Sequence, residues 1–328
     1  MSDRIHYVTS AYGEKYAGML LVCIHSLKVA NPSAKVTVYW QDIPLSIIEC
    51  MATSYKDVDW IETAYDFSGD IVQRISSKMV IWSRAIKEIK DGKICFLDSD
   101  TLILKDVSPF FKNKFDVAFT AKNEIFPLNT GVMLVRKSEM VEAFFEEWKS
   151  KTIGILKNDK LKAQANSLKY PYGGPDQMSF HQLIRYDRRI TEFKVQVRGK
   201  GMALFCVAIP CAILNETNSV SNIDGKYILH YKGGWRPILT EGRGFSKNRS
   251  KKDSLPMYIM YLQMLKAALV RCQGKIDLTD CNIVIPSYLD FDTLKENRFQ
   301  YCRFHFVEEV GRVKRWAIRK FNFGIGRE

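Results

Sequence analysis

The chain has 328 residues, of which 46% are hydrophobic and 26% charged, the composition of an ordinary soluble globular enzyme that can bury a full core without staples. Its net charge of +13 favours anionic partners, whether phosphorylated substrates, nucleic acid or an anionic membrane surface, without choosing among them. The 8 cysteines include no C-x-x-C pair, and Cys23, Cys95 and Cys206 sit inside apolar runs, a pattern that points to reduced, buried thiols in a cytoplasmic protein rather than to a zinc site or a disulfide framework.

Taken in order, residues 5–9 form a short β-rich run, followed by a helical pattern over 16–30 with Leu20, Ile24 and Leu27 on one face. Asn31-Pro32-Ser33 ends it, and 35–40 predicts the next strand. A second strand–helix pass leads to a long amphipathic helix over 71–90, closed by Asp91-Gly92, and 93–97 is an apolar strand. Such alternation predicts an α/β fold with a mainly parallel central sheet covered by helices. Further strands are expected at 115–120 and 132–135 and a helix at 139–149, whereas 158–171 is polar and aperiodic. The longest apolar run, 202–214, is broken by Pro210 and too short to span a bilayer, and the N-terminus has no apolar leader; a cytoplasmic location is expected. Residues 241–254 read as a basic loop, 257–272 as a helix, and 304–321 as a basic amphipathic helix able to lie on an anionic membrane or to pack as an ordinary terminal helix.

The sharpest chemical signal is Phe96-Leu97-Asp98-Ser99-Asp100-Thr101. An apolar strand runs into two carboxylates at i and i+2, which in extended chain project to one side. At the carboxyl end of a strand in an open α/β sheet, two hard oxygen ligands suit Mg²⁺ or Mn²⁺ bridged to phosphate. A plain surface turn is the bland alternative. The segment from His230 to Pro237 adds an imidazole that can complete a mixed O/N shell. Gly233 and Gly234 permit close backbone approach to a bulky anion, and Arg236 is a cation for a diphosphate. Alone, it reads more readily as a structural turn with a satisfied histidine than as a ligand. Asn129 and Thr130, before Gly131, offer groups suited to sugar hydroxyls; Asp176 is either a helix N-cap or, with Gln177, a sugar contact.

In order and company, Asp98-Ser99-Asp100, Asn129-Thr130-Gly131, Asp176-Gln177 and the His230 segment resemble the retaining glycosyltransferases of family 8, including bacterial lipooligosaccharide galactosyltransferases and glycogenin-like enzymes. The likeness runs from about Val8 to Pro237, with Tyr16-Ala17 and Ser26-Leu27 matching the family's first helix. It implies a Rossmann-like GT-A catalytic domain over 1–240 and a basic, mostly helical extension over 241–328. It also implies a hexose moved with retention from a UDP-sugar to a saccharide or glycolipid acceptor, in surface-glycan or lipopolysaccharide synthesis at the inner face of the membrane. Position by position, Asp98, Asp100 and His230 match metal ligands for Mn²⁺ or Mg²⁺, Asn129 and Asp176 match sugar contacts, and Gln177 matches the residue beside the anomeric carbon. Gly233 and Arg236 match the diphosphate site, Arg236 standing where the family usually has Lys. Lys78 matches a basic donor contact for which Arg74 and Arg84 compete. Thr9, Ala11, Tyr12, Tyr16, Ser99 and Thr130 fall on the donor side of the site, while Gly13 replaces the family's acidic base contact.

Two rival classes stand against this reading. A sugar-nucleotide nucleotidyltransferase needs a Gly-rich, basic phosphate loop, and the stretch from Val8 to Gly13 is not one. A basic nucleic-acid-binding protein would carry a zinc, helix-turn-helix or RNA-recognition signature, and none is present; no nucleic acid partner is expected.

Overall fold

The computed structural model describes residues 4–283 apart from 66–75, 77, 91, 125, 168, 171, 188, 200, 202, 219–221, 236–237 and 240–254. Ten strands are described: β1 Ile5–Tyr12, β2 Lys35–Gln41, β3 Val58–Glu62, β4 Lys93–Asp98, β5 Thr101–Ile103, β6 Val117–Ala121, β7 Leu128–Arg136, β8 Glu192–Gln196, β9 Ala203–Pro210 and β10 Ile228–His230. Eight form one sheet in the order β3-β2-β1-β4-β7-β6-β9-β8, and β5 pairs with β10 in a separate ribbon. The β1–β2, β2–β3, β1–β4 and β6–β9 pairs are parallel, while β7 runs antiparallel between β4 and β6. The parallel half is the doubly covered sheet that the alternating pattern predicts. Its central strands are nearly continuous apolar runs because both faces are buried.

Two cores flank the sheet. One holds Trp82, Phe96, Phe145, Trp148 and Phe180, from β4 and from helices α3 (Lys78–Glu88), α4 (Glu139–Leu156) and α6 (Pro175–Ile184). Rings pack at 4.8 Å between Trp82 and Phe96 and at 4.6 Å between Trp148 and Phe180. Ser138 caps α4 through Val141 N, with Glu139 and Glu142 in its first turn, where the helix dipole favours acids.

The other core holds α1 (Ala17–Ala30), α2 (Leu45–Ser54) and α8 (Leu255–Arg271). Instead of a single apolar face, every residue of α1 from Ala17 to Lys28 is buried, because α8 and β5 pack against it. A Cβ on Gly18 would lie 2.5 Å from the Cys281 carbonyl oxygen, so this crossing tolerates only glycine. Tyr231 donates to the Met257 carbonyl at 2.7 Å, and Arg271 Nε to that of Ser54 at 3.1 Å.

Element limits shift modestly from the sequence pattern. The aperiodic 158–171 stretch contains a two-turn helix, α5 (Asp159–Asn166), capped by Asn158, and Pro210 separates β9 from the short α7 (Cys211–Leu214). The seven described cysteines are buried and unpaired, as expected; Cys302 and the 304–321 tail lie outside the described residues. Among the described residues no helix is long and apolar enough to cross a membrane.

Candidate functional site

The site forms where the β1/β4 edge of the large sheet meets the β5–β10 ribbon. Asp98 ends β4, opposite Ser10 of β1, and a turn through Ser99 and Asp100 leads into β5. Thr101 Oγ1 closes that turn on the Asp98 carbonyl at 2.8 Å. The antiparallel register sets His230 against Thr101, and Tyr231 N donates to the Asp100 carbonyl at 2.8 Å. A residue 130 positions away is thereby placed on the carboxylate pair. His230 Nε2 lies 2.9 Å from Asp100 Oδ1 and 3.7 Å from Asp98 Oδ2. One ligand atom from each of the three lies within 4.8 Å of the others.

The surroundings fix the imidazole's tautomer. Thr120 Oγ1 donates to the Asn129 carbonyl at 2.8 Å and accepts from Asn215 Nδ2 at 3.0 Å, which turns Asn215 Oδ1 toward His230 Nδ1, also at 3.0 Å. The Nδ1 proton is committed to that amide, so the Nε2 lone pair faces the carboxylates. Two electron-pair donors meet at 2.9 Å only with a proton or cation shared between them. This donor set of two carboxylates and one oriented imidazole fits a divalent ion. Gly131 completes the cradle: a Cβ there would stand 2.3 Å from His230 Cε1 and 2.8 Å from Asp98 Oδ2.

A second network adjoins the first. Lys78, on the first turn of α3, reaches Asp98 Oδ1 at 3.0 Å and Asp176 Oδ2 at 3.4 Å, above the Trp82 ring at 5.0 Å. Burial disfavours its charge, but Asp98 and Asp176 outweigh that and hold Lys78 above the usual lysine range. Thr130 Oγ1 donates to Asp176 Oδ2 at 2.8 Å, and Asn129 Oδ1 accepts from Gly131 N at 2.8 Å. Asn129 Nδ2 is buried without a protein partner, a donor left over for a ligand.

The predicted residues are thus largely gathered. Asp98, Asp100 and His230 converge; Asn129, Thr130, Asp176 and Lys78 form the adjoining wall, and Ser99 lies buried in the turn between the aspartates. Asp176 is not the N-cap of its helix. Gly174, at φ +139°, holds that place, because Asp176 sits inside the first turn bonded to Thr130 and Lys78. Gln177 follows it, half-buried, with an amide best oriented to donate to the Leu128 and Tyr172 carbonyls. Thr9, Ala11 and Tyr12 occupy the same edge at the end of β1, and Tyr16 follows in a 3-10 turn, Glu14–Tyr16. Thr9 Oγ1 is buried without a partner. Arg84 stands apart, bonded to Glu88 and stacked over Tyr39. Gly233, at φ +59°, opens a 3-10 turn to Trp235, while Arg236 and Arg74 lie outside the described residues.

Sequence reasoning passes over three side chains. Asn215 orients His230, and Lys122 and Lys232 line the rim. Burial, then repulsion from Lys122, holds Lys232 below the usual lysine range, opposed by Cys211, Asp98 and Asp100. The only sequence signal for the lysines is their i+2 spacing from Thr120 and His230.

This sheet, with its edge cluster of two carboxylates and an imidazole, is the GT-A fold implied by the family 8 motifs. No protein-family model and no curated protein matches the sequence. Among solved structures, the glycosyltransferase GlyE of Streptococcus pneumoniae TIGR4 matches with a TM-score of 0.52 at 14% identity, over 87% of this chain and 65% of that one. Its apo form gives 0.50 at 16% identity, over 88% and 66%. The galactosyltransferase LgtC, in complex with donor and acceptor sugar analogs, gives 0.49 at 15%, over 83% of this chain and 100% of its own. The chain spans about two thirds of the length of GlyE.

Proposed function

We propose that this protein is a metal-dependent glycosyltransferase that moves a hexose from a nucleotide-diphosphate sugar, preferentially a UDP-sugar, to a saccharide or glycolipid acceptor with retention. The observation that carries the reading is the convergence of Asp98, Asp100 and the oriented His230 at the carboxyl edge of a GT-A sheet. Those three residues hold Mn²⁺ or Mg²⁺, which when bound supplies Lewis-acid neutralisation of a leaving diphosphate. Lys78 fixes the Asp98 and Asp176 carboxylates and adds positive charge beside the donor. Asn129 Nδ2 and Asp176 hold sugar hydroxyls. Gln177 positions the reacting carbon, because an uncharged amide is a poor nucleophile. Arg236 contributes a planar cation to the diphosphate, and Thr9, Ala11, Tyr12 and Tyr16 line the nucleotide side.

The setting that goes with this reading is surface-glycan synthesis in the cytoplasm. Residues 1–240 act as the catalytic unit, and 241–328 contact the acceptor or, through the 304–321 tail, the inner membrane surface.

The test is a panel of nucleotide sugars incubated with Mn²⁺ and protein, measuring released nucleotide. One donor is expected to yield nucleoside diphosphate, and Asp100→Ala to lose at least about 100-fold in turnover. Near-normal turnover in that variant would remove the metal assignment. Pyrophosphate as product would instead assign a nucleotidyltransferase. Salt-sensitive duplex binding with no donor turnover would assign a nucleic-acid-binding protein.

A further inference from the structure

The first turn of α6 carries Asp176 and Gln177, yet nothing on its entrance fixes it. Gly173 at φ +72° and Gly174 at φ +139° lead in, and Gly174, the N-cap, has no side chain to bond the free N–H groups. The turn is held from its buried side instead. Trp148 Nε1, on α4, donates to the Asp176 carbonyl at 2.9 Å and lies 3.1 Å from Ser179 Oγ. Ser179 Oγ, fully buried, is itself 2.9 Å from that carbonyl and 2.7 Å from Thr152 Oγ1. Thr152 Oγ1 in turn lies 2.9 Å from the Trp148 carbonyl. Asp176 is thereby gripped at both ends, its carbonyl from α4 and its carboxylate by Thr130 and Lys78.

The Trp148 ring otherwise packs on Phe144, Phe145 and Phe180. A core that needed only cohesion would be served as well by apolar side chains of the same shape, because every buried polar group must regain the hydrogen bonds it loses from water. Nor is the Asp176 carbonyl otherwise an orphan, since a helical carbonyl there faces the N–H four residues on. What the indole and the two hydroxyls add is location. Sliding α6 along α4 by part of a turn would leave three buried groups unpaired, so a satisfied cluster of this kind selects one arrangement.

We infer that Trp148, Thr152 and Ser179 are positioning residues that set the first turn of α6, and through it Asp176 and Gln177, against Lys78 and Asp98. That the turn then meets a donor sugar rests on the transferase reading; its placement by α4 does not.

Thr152 gives the sharpest test, because its two parts can be removed separately. Thr152→Val keeps the shape and loses the hydroxyl, whereas Thr152→Ser keeps the hydroxyl and loses a methyl group. Amide hydrogen exchange, read by mass spectrometry on the full-length protein, is expected to quicken about tenfold over 174–180 in Thr152→Val and Ser179→Ala. It is expected to stay within about twofold of normal there in Thr152→Ser, and over 128–136 in all three variants. Val141→Ala, two turns earlier in the same core, is expected to leave 174–180 unchanged. Trp148→Phe, which loses the N–H and keeps a ring, is expected to match Ser179→Ala; if it melts early, the Thr152 pair carries the test. Calorimetric titration with Mn²⁺ present gives the second readout. UDP-glucose and UDP-galactose are expected to bind about tenfold more weakly to Thr152→Val and Ser179→Ala, while UDP stays within about twofold. Unaltered exchange over 174–180, or Thr152→Ser behaving as Thr152→Val does, overturns the inference. So does a quickened turn that leaves the sugar nucleotides unaffected or weakens UDP equally. A protein that binds none of the three nucleotides yet shows the hydroxyl-dependent exchange would lose the transferase reading and keep the positioning residues.

Discussion

Asn215 touches no proposed ligand, yet it decides which imidazole nitrogen faces the aspartates. Replacing it with Ala frees the ring to rotate and to change tautomer. Asn215→Ala is therefore expected to weaken Mn²⁺ binding by about 10- to 100-fold while the protein stays folded. Gly131→Ala places a methyl group against His230 Cε1 and is expected to weaken binding at least as much. Calorimetric titration of Mn²⁺ into both variants measures this, and unaltered affinities would mean that the imidazole is not a ligand. At this scale the carboxylate–imidazole cluster was legible because Asp98 and His230 end apolar strands and Asp100 follows Asp98 by two, each within a recognisable motif. Asn215 was not, since it lies in a segment without a motif and acts through contacts spanning 95 positions to Thr120 and 15 to His230. Asp176 was read as a cap or a sugar contact because the sequence does not reveal that Thr130 and Lys78 bind its carboxylate.

Elements with a strong apolar period were the readable ones. The strands at 35–41 and 93–98 and the helix at 255–271 fall within a residue or two of the pattern. By contrast, α5 is short and polar, and Asn158 at its start is a cap that resembles loop chemistry. For α1 the stripe of Leu20, Ile24 and Leu27 is real, but residues between them are buried as well, because a distant helix covers the outer side. That helix, α8, shares one core with the sheet: Leu262 and Leu265 are fully buried in the cluster that holds Leu97 and Val132. Leu262→Ala is expected to cost about 2–5 kcal/mol, read by urea denaturation as a shifted single transition. A separate early transition would make the segment beyond residue 254 an independent unit.

For the whole molecule, stability against pH has two windows. Burial, with help from Lys35 and against Asp59, lowers His6 from 6.5 to about 4 in the folded state. Between those values the unfolded chain binds more protons, so stability falls as pH drops from about 6.5 toward 4. His25, lowered by burial and then by Arg271, acts in the same direction. Burial raises Glu146, but Lys149, Lys87 and Ser83 outweigh it and hold it at about 2, so its contribution is lost only as pH falls from 4.5 toward that value. Melting temperature is expected to decline first in the histidine window, and His6→Gln to flatten that part of the curve. An unchanged slope in the variant would assign the decline to other groups.

The ribbon of β5 and β10 has only three residues on each side, and His230 is the last of its strand. A slip of one position would exchange the imidazole for the side chain of Leu229 or Tyr231, turning a polar pocket greasy without disturbing the main sheet. Fidelity of the centre therefore depends on the neighbours that pin this miniature pairing: Glu216, which bonds to Ile228 and His230 from outside, and Tyr231, anchored on Met257. Chain from beyond residue 254 thus acts as a latch on the carboxylate–imidazole cluster near residue 100.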